Sequence, residues 1–150
     1  MKTLQALLFA LAAASLVPAA LAHTDEALDA QKAPNGGQQR MAGIYHFELV
    51  VAKDNKEARE SPVVIHVTDH AGAKVSTVGA GGTATILAGK SKATVKLVPD
   101  GDNRLKGTGS YVSTADMKVV VSITFPGKPA EQARFTPLAI VKDAHAGHKH

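Results

Sequence analysis

Tyr45, Phe47, Leu49 and Val51 alternate with His46, Glu48 and Val50, a period of two that sets the first group against a core and turns the second away from it. The same alternation returns at residues 63–68, where Val63, Ile65 and Val67 share one face and Val64, His66 and Thr68 the other. Residues 74–78 and 83–87 lean towards strand, and at 93–98 Ala93, Val95 and Leu97 alternate with Thr94, Lys96 and Val98. A short strand begins at Leu105. The strongest segment is 117–125, with Val119, Val121, Ile123 and Phe125 on one side, and residues 131–136 read as the last strand. Asp69-His70-Ala71-Gly72, Gly89-Lys90-Ser91, Pro99-Asp100-Gly101 and Pro126-Gly127-Lys128-Pro129 separate these runs as turns.

About seven strands at roughly 8–12-residue spacing, with no helix long enough to cover a parallel sheet, predict an all-β antiparallel fold. An immunoglobulin-like β-sandwich over residues 41–137 is the expected architecture, and a small barrel is the second choice. Residues 23–40 are polar and centre on Pro34-Asn35-Gly36-Gly37, which predicts a flexible lead-in with a tight turn. Residues 138–150 read as a histidine-containing tail.

The first residues change the setting. Lys2, an apolar run at residues 4–17 and a small-residue end at Ala20-Leu21-Ala22 have the order of a secretory signal, so residues 1–22 are expected to be removed. A membrane anchor is the competing reading. The run is broken by Gln5, Ser15 and Pro18 and lacks a basic stop-transfer flank, which predicts a soluble periplasmic or otherwise exported protein with no transmembrane anchor after processing. Of 150 residues, 128 would then remain, enough for one core. The chain has no cysteine, so its stability rests on packing and sheet hydrogen bonds. A formal charge of +4 spread over scattered lysines, with few aromatic residues, gives no basis for nucleic-acid binding.

Seven histidines carry the candidate chemistry, because neutral imidazoles can hold Cu(II) or Zn(II) without thiols. As a new first residue, His23 would offer an α-amine and an imidazole to one ion, or it would simply begin a polar tail. His46 and His66 lie opposite the core positions of two strands, with Glu48 beside His46. If those strands pair, the three side chains come within cross-strand range; otherwise each histidine is a surface residue. His145, His148 and His150 form a short His-rich end that can collect divalent ions or serve as an ordinary hydrophilic terminus. His70 falls in a turn where Asp69 is expected to cap the backbone. Met41 and Met117 stand alone and make no thioether pattern, and Met117 reads as core.

Catalytic patterns are missing. No nucleophile elbow occurs, His66 and His70 do not sit on a helix as a zinc-peptidase pair requires, and Gly79-Ala80-Gly81-Gly82 lacks the lysine end of a phosphate loop. The expectation is a non-enzyme.

Pro34-Asn35-Gly36-Gly37, followed by Gly43-Ile44-Tyr45-His46-Phe47-Glu48-Leu49-Val50, resembles the start of small periplasmic domains found with heavy-metal efflux and copper-resistance systems. Those domains carry a histidine-glycine-glycine turn and then an aromatic-histidine-x-glutamate strand. Residues 67–72, 103–107 and 133–135 fit the same pattern, so the likeness spans residues 34–137. The resemblance implies a ligand role for His46 with Glu48 next to it and an efflux or resistance assembly as partner. Asn35 stands where the turn histidine would be, which leaves Met41 or His66 to supply that donor. The leading expectation is thus a periplasmic protein that binds or buffers copper or another divalent ion. The alternative is a non-catalytic exported structural or protein-interaction module.

Overall fold

The computed structural model describes residues 24–140. The segment read as a leader, His23 and the histidines at 145, 148 and 150 lie outside the described residues. A five-residue helix, α1 (Asp25–Asp29), precedes eight strands: β1 (Gln38–Ala42), β2 (Tyr45–Val51), β3 (Arg59–Asp69), β4 (Gly81–Ala88), β5 (Ser91–Pro99), β6 (Arg104–Tyr111), β7 (Lys118–Thr124) and β8 (Glu131–Phe135).

Alternation decides what is buried. Val63, Ile65 and Val67 of β3, Val95 and Leu97 of β5, and Val119, Val121 and Ile123 of β7 all point inward and are fully enclosed, while their neighbours in sequence remain open or half-open. Phe47, Leu49, Leu105, Met117 and Phe135 complete the centre. Each such side chain contributes about 1.5–3 kcal/mol by leaving water, which lets a chain without disulfides hold one core.

All pairings are antiparallel, and the strands form one sheet in the order β1-β2-β3-β6-β5-β4-β7-β8. The all-β antiparallel class is as the alternation implies. The finer architecture differs from the expected seven-strand immunoglobulin-like sandwich, because the two four-strand groups are joined into a single, nearly closed, barrel-like sheet. The join is the short ladder between β5 and β6, Val98 with Lys106 and Pro99 with Leu105. Beyond it the strands cross so closely that a Cβ at Gly107 would lie 2.1 Å from the Lys96 carbonyl oxygen. Glycine there is what lets the sheet bend around its core. At the other seam no ladder joins β1 to β8 among the described residues, and the Gln38 side-chain oxygen instead accepts from the Thr136 amide (2.8 Å).

Two strand expectations shift. Residues 74–78 make only an isolated bridge, Thr68 with Lys74, and β1 starts at Gln38, three residues before the expected domain edge. The segment before β1 is also fastened. Arg40 donates to both carboxylate oxygens of Asp29 (2.7 and 3.2 Å), and Leu28 is buried.

Candidate metal site

The site begins with a hairpin. Ala42 pairs with Tyr45, which leaves Gly43 and Ile44 as a two-residue turn. Gly43 has a φ of +59°, and glycine at the first turn position is what such a hairpin favours. This turn fixes the register, placing Met41 opposite His46 and Gln39 opposite Glu48. On the other side of β2, β3 places Thr68 opposite His46 and His66 opposite Glu48. Two rows therefore run across the outer face: Met41, His46 and Thr68 in one, and Gln39, Glu48, His66 and then Arg104 of β6 in the other. The condition attached to the mid-chain histidines, that their strands be neighbours, is met.

This outer face is not solvated. His46 is 7 % exposed and Glu48 3 %, because residues 33–37 and the end of α1 lie over β2. Glu48 is engaged by that cover. Its carboxylate accepts from the Asn35 amide N–H (2.8 Å), the Asn35 side-chain amide (2.9 Å) and the Gly37 N–H (3.0 Å). Gly37 itself sits hard against β2, where a Cβ would fall 2.2 Å from the Leu49 carbonyl oxygen. Asn35, which stands where the resemblance calls for a histidine, thus ties the turn to the carboxylate. With three donors already converging on it, Glu48 acts as the clasp of the lead-in.

His46 meets different neighbours. Its Nε2 lies 3.1 Å from Met41 Sδ, and its ring stacks on that of His70, with centroids 4.9 Å apart and planes inclined by 23°. His70 arrives there because the turn after β3 is tightly capped. Asp69 Oδ1 accepts from Ala71 N and Ala73 N, both at 2.9 Å, as expected of a turn aspartate. Gly72 supplies the positive φ (+81°) that brings the chain back. His70 falls two residues beyond Thr68 and so shares its face with His46. A cleft of about 280 Å³ opens beside the two rings, lined also by Leu28, Gln31, Lys32 and Pro34.

His66 lines a second, larger cleft of about 430 Å³ with Lys74, Asp100, Asp102 and Arg104. Partial burial lowers the pKa of His66 below its ordinary value; the nearby Glu48 pulls it up and the Arg104 cation pushes it down. Among the described residues no three histidine, cysteine or carboxylate side chains gather in an arrangement that could hold a metal ion. His46, Glu48 and His66 therefore share a face without forming a three-ligand group. Among the described residues Met41 and His70 converge on His46; the sequence offers Met41 only as a stand-in for the missing turn histidine and assigns His70 to a turn. The signal for Met41 was present: a two-residue glycine-first turn at 43–44 folds residue 41 onto residue 46. No local pattern announces His70, since its approach depends on the β2–β3 pairing.

Comparison with protein-family models, with curated proteins and with solved structures gives no match for this chain.

Proposed function

We propose that this chain is an exported, periplasmic protein that binds or buffers a transition-metal ion, copper foremost, and serves a metal-efflux or resistance assembly. The observation that carries the reading is the meeting of the His46 and His70 imidazoles at the mouth of a small cleft. Imidazole is a fitting donor for copper or zinc, and the hydrogen-bonded cover over β2 holds His46 in place before any ion arrives. The export segment and the seven histidines of the chain agree with a role outside the cytoplasm. The sequence carries no nucleophile elbow and no phosphate loop, and the protein is proposed as a non-enzyme.

The test is titration of the processed protein with Cu(II), Zn(II) and Ag(I), repeated with His46→Ala, His70→Ala and a variant in which His145, His148 and His150 are alanine. One saturable site lost in either single variant supports the reading. Loss only in the tail variant moves the function to the terminus, and no saturable binding by any protein removes it.

A further inference from the structure

Resting on that reading, we propose that the ion held in the folded domain is monovalent and soft, Cu(I) or Ag(I), with Met41 Sδ, His46 and His70 as its three donors. The register of the β1–β2 hairpin holds the thioether and the imidazole side by side, and the 3.1 Å between Sδ and Nε2 is close to what a shared ion needs. Bonds of about 2.0–2.1 Å to nitrogen and about 2.3 Å to sulfur set the two donor atoms roughly 3–4 Å apart. Small rotations of two side chains open that space. His70 lies on an exposed turn with its ring stacked on that of His46, next to the same point.

The donor set selects the charge of the ion. All three donors are neutral, and a thioether favours Cu(I) over harder divalent ions. Glu48 has its carboxylate oxygens on Asn35 and Gly37 and does not line the cleft beside His46 and His70. Asp69 Oδ1 is likewise committed to the turn. The described lining of the cleft contains no carboxylate, and Lys32 is the cation in it.

The experiment uses the processed full-length chain with His145, His148 and His150 replaced by alanine, and Ag(I) as a redox-inert probe. Competition against Zn(II) is measured with and without Met41→Leu, which removes the sulfur and keeps the volume. Preferred binding of Ag(I), weakened in the variant by at least the roughly 10–100-fold that losing a supporting partner costs a metal site, with Zn(II) affinity unchanged, is the expected result. Equal Ag(I) affinity in both proteins overturns the thioether assignment. If His46→Ala still abolishes binding in that case, the broader metal reading survives; if no protein holds any ion, both fail. X-ray absorption on the Cu(I)-loaded unsubstituted protein provides a check that does not depend on the variant folding. One sulfur scatterer at about 2.3 Å is expected, and a shell of nitrogen or oxygen alone contradicts the proposal.

Discussion

The two halves of the sheet use the same alternation and end with opposite outer faces. On β4, β5 and β7 the outward positions Thr83, Lys92, Thr94, Lys96, Lys118 and Thr124 are open to water, with Leu87 and Val98 exposed among them and Thr85, Val120 and Ser122 half-buried. On β2 every residue but Val50 is buried, so the outward His46 and Glu48 are as enclosed as core side chains. The difference does not come from the strands. It comes from residues 24–37, which fold back over one half and not the other. Polar groups enclosed in this way must be given partners, and the partners found here, Asn35 and Gly37 for Glu48 and Met41 and His70 for His46, convert a strand face into a structured site. The open face offers scattered charge and no such arrangement.

Removing the clasp tests the comparison most severely. Glu48→Ala leaves the Asn35 and Gly37 amides without their acceptor and is expected to cost roughly 3 kcal/mol in a denaturant melt, since hydrogen bonds to a charged group are worth about 1.5–3 kcal/mol each and the site is partly open. Proteolysis within residues 30–37 should accelerate in the same variant. Equal stability would mean that the cover is not held by the carboxylate.

Acidification gives a smaller effect, centred on His66. Its folded pKa is depressed below the ordinary 6.5, so the unfolded chain takes up the proton more readily. The contribution is therefore complete above the unfolded value and is lost as pH falls through the folded one. Urea midpoints of the metal-free protein, followed from about pH 8 to about pH 5, should fall more in the native sequence than in His66→Gln. Identical curves would show that the environment of His66 does not bear on its protonation.

The smallest effect belongs to the open face, where Lys96→Ala is expected to change stability by no more than about 0.5 kcal/mol. A larger loss, read in the same melt, would reveal a covering partner on that half and erase the contrast.

What the sequence made legible follows from how local each signal is. Seven of the eight strands are visible as alternating or β-branched runs, because inward and outward positions are sorted within each segment. β1 hides because Gln-Gln-Arg-Met-Ala has no alternating apolar set. Its place is fixed by the turn at Gly43 and by the Arg40–Asp29 ion pair, both of which are relations between segments. The join of two strand groups into a barrel-like sheet rests on a two-pair ladder and on the space above Gly107, which no periodicity encodes. At the site, His46 was identifiable from its place on β2, whereas the commitment of Glu48 to Asn35 and the arrival of His70 needed the folded chain.

The central claim is an ion bound at His46 with Met41 beside it, and the chain carries its own internal reference for testing that. Of its three methionines, Met117 is fully buried in the core, and Met1 lies in the segment expected to be removed. Methyl NMR of the processed protein, labelled at the methionine ε-carbon and titrated with Ag(I), should show the Met41 signal moving saturably at one equivalent while Met117 stays still. An unmoved Met41 signal when the protein is saturated with Ag(I) would contradict the account.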